Sequence, residues 1–108
     1  MFGVANWNIE EMTGYEPKTT YYTDFGIAER FGEAAIRDTY QRAAREHKKG
    51  DYKILTELVM VLNWKIWEHY GRNDKLARLY NELWGELDSW CVNNLKDEAL
   101  DYFYYTTD

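Results

Sequence analysis

The segment between Asp51 and Tyr70 constrains the fold more than any other part of the chain. Its apolar side chains cover most of the circumference of a helix, so that helix needs neighbours on several sides. Gly71 provides a stop, and the short GRND connection that follows forces the next helix to pack antiparallel to this one. The sequence therefore predicts a central helix over 51–70. The apolar positions are Ile54, Leu55, Leu58, Val59, Met60, Val61, Leu62, Trp64, Ile66, Trp67 and Tyr70.

Apolar residues at helical spacing predict three further helices, over 24–49, 73–94 and 96–105. We expect Thr23 or Asp24 to cap the first of them. Gly26 and Gly32 weaken its first part, so a short helix to about residue 31 can precede a longer one. Across the hairpin, helix 73–94 is expected to bury Leu79, Leu83 and Leu87 against Leu58, Leu62 and Ile66. Its full stripe is Leu76, Leu79, Tyr80, Leu83, Trp84, Leu87, Trp90 and Cys91.

The first 23 residues predict an irregular lead or a short hairpin. Met12 to Pro17 has turn chemistry, and Tyr21 to Thr23 favours extended structure. With 108 residues, the chain fits a single domain over 1–108. The predicted fold class is therefore all-α, a compact three- to four-helix bundle behind this N-terminal segment.

Composition excludes several classes of protein. One proline and one cysteine among 108 residues exclude Pro-rich linkers, a disulfide scaffold and a Cys-cluster zinc site. No apolar run reaches the ~20 residues of a membrane span, and the N-terminal residues lack the basic and apolar regions of a signal peptide. We therefore expect a cytoplasmic protein that does not bind membranes.

The charges are unevenly distributed along the chain. The net charge is -6; the first 35 residues carry six acids and two bases, and residues 76–108 carry seven acids and two bases. Phosphate neutralisation needs clustered Lys and Arg, so direct binding to nucleic acid is disfavoured. An acidic surface is better suited to a basic partner.

No catalytic or metal-binding pattern stands out. His47 and His69 have no carboxylate three residues before them, so the di-iron pattern of helical bundles is absent. Cys91 lies on an apolar stripe and is expected to act as a small hydrophobic residue. Glu82 and Glu86 share one helix face, which is more typical of a solvated surface than of acid–base catalysis. The sequence predicts neither an enzyme nor a cofactor or metal site.

Aromatic residues make up 18% of the chain and are its most unusual feature. Trp64, Trp67, Trp84 and Trp90 occupy positions compatible with the core. The tyrosines near both ends can pack on the bundle or anchor a partner, since Tyr and Trp are typical of interfaces. We take the predicted partner-binding residues to be Glu82, Glu86, Asp97, Glu98, Asp101, Tyr21, Tyr22, Tyr104 and Tyr105.

Three stretches carry a resemblance to known proteins: MTGYEPKTTYYTDFGIAERFG, DYKILTELVMVLNWKIWEHY and LARLYNELW. They resemble small accessory proteins that phages and conjugative elements carry in gut-dwelling Firmicutes, over most of Met12 to Asp108. The resemblance transfers no catalytic residue. It implies an accessory protein of a mobile element, a setting in which small acidic proteins often inhibit host defence, among them anti-CRISPR and anti-restriction proteins.

These observations together predict a non-catalytic binding protein. Its expected partner is a host protein, such as a CRISPR effector or another nucleic-acid-binding enzyme, met through an acidic and aromatic surface. One alternative is a ligand-binding or enzymatic bundle with a pocket formed by Trp64, Trp67, His69 and Tyr70. Another is a homodimeric assembly protein with the aromatic ends as its interface.

Overall fold

The computed structural model describes residues 20–107 and shows an all-α fold, as predicted. These residues form five helices, where three or four were predicted. In chain order the helices are α1 (Tyr21–Glu29), α2 (Glu33–His47), α3 (Tyr52–His69), α4 (Asp74–Asn94) and α5 (Asp97–Thr107).

Helix α3 is the centre of the bundle and packs against all four other helices. Every residue from Leu55 to Leu62 is buried, so no face of this stretch meets solvent. This confirms the expectation drawn from its apolar circumference. Three polar residues of this helix, Thr56, Glu57 and Lys65, are buried together with the apolar ones.

The α3–α4 hairpin follows the sequence signals closely. Gly71 adopts a φ of 79°, a left-handed conformation that glycine tolerates best. Asn73 then caps α4, because its side-chain oxygen accepts a hydrogen bond from the Leu76 backbone N–H at 3.2 Å. Leu58, Leu62, Leu79, Leu83 and Leu87 are buried in one core cluster, as expected. Ile66 is only partly buried and packs against that cluster.

The segment predicted as helical over 24–49 is divided into two helices near Gly32, as its glycines allowed, because the backbone turns there with a φ of 105°. The start of α1 differs from the prediction in two respects. The lead predicted over 1–23 is wrong for Tyr21 to Thr23, which belong to α1, and residues 1–19 lie outside the described residues. The N-cap is Thr20, whose side chain makes no capping hydrogen bond, rather than Thr23 or Asp24. Tertiary contacts of Tyr21 and Tyr22 with α2 and α3 outweigh their local preference for extended structure.

Helix α5 lies across the start of α3. The rings of Tyr52 and Tyr102 meet edge to face with centroids 5.5 Å apart, and Phe103 is buried in the core cluster. The opposite side of α5 is exposed. Among the described residues, no helix is long and apolar enough to cross a membrane.

Replacing Leu62 with alanine tests the central position of α3. Because Leu62 is fully buried in a small core, we expect Leu62→Ala to lower the free energy of unfolding by about 2–5 kcal/mol. Urea denaturation followed by circular dichroism measures this change. The control is Arg78→Ala on the exposed side of α4, expected to change stability by no more than about 0.5 kcal/mol. Equal effects of the two substitutions would contradict the central placement of α3.

Candidate functional site

A buried polar cluster joins α1, α3 and α4. Three donors converge on one carboxylate oxygen of α1, Glu29 Oε2. The Tyr80 hydroxyl donates a hydrogen bond to it at 2.6 Å, and His69 Nε2 donates another at 2.8 Å. Lys65 Nζ forms an ion pair with the same oxygen at 3.3 Å. We call these residues, together with Tyr22 and Glu68, the Glu29 cluster.

The Lys65 ammonium is the buried charge of this cluster. Lys65 is only 1% exposed, and its Nζ also lies 3.6 Å from Glu68 Oε1 and 4.1 Å from the centre of the Tyr22 ring. The Tyr22 hydroxyl in turn donates a hydrogen bond to Glu68. Burial lowers the pKa of Lys65, and Glu29 opposes this effect by favouring the charged form. Lys65 is therefore held by two carboxylates and one aromatic face.

The surroundings of Glu29 favour its ionised form. Burial alone would raise the pKa of Glu29, but the hydrogen bonds from Tyr80 and His69 and the charge of Lys65 outweigh burial and hold the pKa below its usual value. Burial, followed by the negative charge of Glu29, raises the pKa of Tyr80. Tyr80 therefore remains a neutral hydrogen-bond donor, and its ring stacks on His69 at 5.8 Å with nearly parallel planes.

Glu29, Glu68 and His69 are also the donor types that a divalent cation prefers. One ligand atom from each lies within 4.8 Å of the others. The Lys65 ammonium, however, already sits 3.3 and 3.6 Å from the two carboxylates and supplies positive charge there. These residues could hold a metal only if Lys65 moved away or lost its proton. The arrangement is better suited to fixing α1 on the bundle than to coordinating an ion.

Most of this cluster was not predictable from local sequence patterns. The His69 side chain, for example, is only 15% exposed and is hydrogen-bonded to Glu29. One signal was present: Lys65 lies between Trp64 and Ile66 on the predicted central helix, and a charge in such a position needs a buried partner. Nothing local identified Glu29 as that partner, because it lies on another helix.

Glu57, on α3, is a second carboxyl group inside the bundle, and its surroundings differ from those of Glu29. Glu57 is 2% exposed, and no hydrogen-bond partner reaches its Oε2 among the described residues. Burial without compensation raises the pKa of Glu57 to about 7. The folded protein therefore favours the protonated form of Glu57 and the ionised form of Glu29.

The predicted aromatic pocket does not form. Trp64 is buried, but Trp67, which the spacing places in the core, is 62% exposed, and Tyr70 is exposed beside it. The Trp67 and Tyr70 rings contact each other at 5.7 Å on the surface. His69 points instead to Glu29. The four residues therefore do not surround one internal space.

The predicted partner-binding residues fall into three groups. Tyr21 and Tyr22 are half-buried: the Tyr21 hydroxyl lies 2.5 Å from His47 Nε2, and the Tyr22 hydroxyl binds Glu68. Glu82 and Glu86 lie on the α2 side of α4. Arg37 pairs with Glu82 at 3.0 Å, and burial, followed by the negative charge of Glu86, raises the pKa of Tyr40 to about 12. The remaining five residues are all on α5.

These five residues form what we call the α5 outer face: Asp97, Glu98, Asp101, Tyr104 and Tyr105, all of them exposed. Positions 98, 101 and 105 follow the i, i+3, i+7 spacing of one helix face. Within the described residues, no ion pair engages Asp97, Glu98 or Asp101. The structure thus brings these acids and aromatics together on one helix, and it does not join them to Glu82 and Glu86.

Comparisons with protein-family models, curated proteins and solved structures found no match to this chain.

A double-mutant cycle tests the Glu29–Lys65 pair. We expect Glu29→Ala to lower the free energy of unfolding by about 3–5 kcal/mol, because it removes the acceptor of three donors and leaves a buried charge poorly compensated. Lys65→Met in the same chain should recover part of that loss, since the uncompensated charge is then gone. Urea denaturation of the wild type, both single variants and the double variant gives the coupling energy. Purely additive effects would contradict the pairing.

The raised pKa of Glu57 makes a prediction about pH. In the unfolded chain Glu57 ionises near its ordinary pKa, so the folded state binds more protons between that value and about 7, and stability falls as the pH rises through this window. Glu57→Gln removes the dependence. Its stability relative to wild type should therefore increase by about 1–3 kcal/mol between about pH 4 and about pH 8.

Chemical denaturation at the two pH values measures this difference. The exposed Glu46→Gln variant is the control and should show no such trend. A relative stability of Glu57→Gln that stays constant with pH would show that Glu57 is ionised in the folded protein.

Proposed function

We propose that this chain is a non-catalytic binding protein that meets a basic partner through the α5 outer face. The observation that carries the proposal is the composition of that face: three acids and two tyrosines, exposed on one helix and engaged by no cation among the described residues. Three of the other predicted partner-binding residues are instead engaged inside the structure. Glu82 has Arg37, and Tyr21 and Tyr22 have His47 and Glu68.

The physical chemistry of α5 suits recognition of a positively charged surface. Carboxylates at exposed positions accelerate association with a basic surface and reject acidic ones. Tyr105, 79% exposed at the other end of the face, offers a large amphipathic ring of the kind that anchors interfaces. At ~1.5 Å per residue, the 11 residues of α5 span about 16 Å, which is enough for a local contact patch.

The partner class that we propose is a host protein with a basic nucleic-acid-binding groove, such as a CRISPR effector or a restriction enzyme in the cytoplasm. Such a groove has the complementary charge. The resemblance to accessory proteins of phages and conjugative elements supports the same class, and inhibition would follow from occupying the groove or its rim. This role needs no catalytic residue or cofactor in the chain.

Charge reversal on α5 tests the proposal. The wild type and the Glu98→Lys/Asp101→Lys variant are used to capture proteins from a host lysate at low and high salt, and the captured enzyme is then assayed for DNA cleavage. We expect the variant to lose about tenfold or more in affinity and in inhibition, and the wild-type affinity to fall with salt.

The matched control is Asp74→Lys/Glu82→Lys on α4. It changes the net charge by the same amount, and like the α5 variant it places one lysine in the first turn of a helix. We expect it to retain binding. Equal binding by all three proteins, or a loss confined to the α4 variant, would rule out the α5 outer face.

A further inference from the structure

Helices α1 and α2 enclose a surface groove of about 410 Å³ that lies apart from the α5 outer face. Its floor is made of small side chains, because Ala28 and Ala43 are buried between the two helices. Phe31, at the turn between the helices, is 76% exposed beside it. A large apolar side chain open to water at the rim of a concave surface is typical of a binding site rather than of a finished core.

The groove is polarised along its length. Its apolar end is formed by Ile27, Phe31 and Ala35, near the α1–α2 turn. Its acidic end is formed by Asp24 and Glu46, near the start of α1 and the end of α2.

The charges of the lining are not balanced. Among the described residues that line the groove, Arg42 is the one cation, and it is already paired with Asp38 at 2.9 Å. No cation of the described residues pairs with Asp24 or Glu46. Within the part of the chain that the structure describes, the acidic end therefore carries two negative charges without a paired cation.

The raised pKa of Tyr21 reflects burial and the negative charges at the acidic end. Its pKa is raised to about 12, first by burial and then by the charges of Glu46 and Asp24. Its hydroxyl lies 2.5 Å from His47 Nε2, which holds the ring as a wall of the groove. A positive charge placed between Asp24 and Glu46 would meet this field without displacing an internal cation.

We propose that this groove binds a basic amphipathic helix of a partner protein. An apolar side chain of that helix packs on Ile27 and Phe31, and a Lys or Arg side chain lies between Asp24 and Glu46. The α2 residues that line the groove at positions 35, 39, 42 and 46 follow helical spacing over about 16 Å, so a helix of about three turns matches its length. A second copy of this chain is a poor fit, because the chain carries a net charge of -6 and would bring further acids to an acidic site.

A model peptide tests this inference on the full chain. The probe is a fluorescently labelled helical peptide of leucine and lysine, about 14 residues long, and its counterpart has glutamate in place of lysine. We expect fluorescence anisotropy to show binding of the lysine peptide only. Phe31→Ala and Glu46→Lys should each weaken that binding by about tenfold.

Two matched controls lie outside both this groove and the α5 outer face. Tyr70→Ala removes a comparably exposed aromatic ring at the end of α3, and Asp74→Lys reverses an exposed acid on α4. These variants should bind the lysine peptide within about twofold of the wild type. Because Phe31 and Glu46 do not belong to the α5 outer face, a loss of binding on their replacement is specific to the groove.

Three results would overturn the inference. The first is no binding of the lysine peptide at millimolar concentration. The second is binding that Tyr70→Ala and Asp74→Lys weaken as much as the groove variants do. The third is a dimer, detected by light scattering, that Phe31→Ala dissociates, because the groove would then be occupied by a second copy of the chain.

Discussion

The position of α1 depends on one oxygen atom, Glu29 Oε2. Tyr80 from α4 and both His69 and Lys65 from α3 converge on it within 3.3 Å. Apolar contacts alone would leave a nine-residue helix with little to fix its position, because α1 buries only Phe25 and Ala28. A buried ammonium tolerates few positions of its carboxylate partner. The Glu29 cluster therefore fixes where α1 sits, and with it the geometry of the α1–α2 groove.

The same internal bonds decide which surfaces remain for partners. Tyr21 and Tyr22 are of a residue type that often anchors interfaces, but their hydroxyls are bound by His47 and Glu68. Arg37 likewise neutralises Glu82. Among the described residues, two separate acidic and aromatic surfaces are left, the α5 outer face and the groove beside Phe31. Both have chemistry that complements positive charge, although different helices build them.

The sequence predicted those features that depend on local spacing. The apolar circumference of 51–70 identified the central helix, and the signals at Gly71 and Asn73 located the hairpin to within a residue. The start of α1 was not predictable in this way, since Tyr21 and Tyr22 are helical because of bonds to residues 26 and 46 positions away. The Glu29 cluster was out of reach for the same reason: Tyr80 and Glu29 are 51 residues apart. Of the cluster residues, Lys65 was the one whose position indicated a buried partner, because its charge lies between apolar residues.

Two carboxyl groups inside this small bundle, the partly buried Glu29 and the fully buried Glu57, respond to pH in opposite directions. Glu29 has donors, so its folded pKa is lowered; its contribution to stability is present above the unfolded pKa and is lost as the pH falls through the folded one. Glu57 lacks a partner for one oxygen, so its folded pKa is raised, and stability is lost as the pH rises toward about 7. The two windows meet near the ordinary pKa of a glutamate. Stability contributed by this pair is therefore greatest at mildly acidic pH. Burial raises the pKa of both groups, so the hydrogen-bond donors and the Lys65 charge around Glu29 are what make the two pKa shifts opposite.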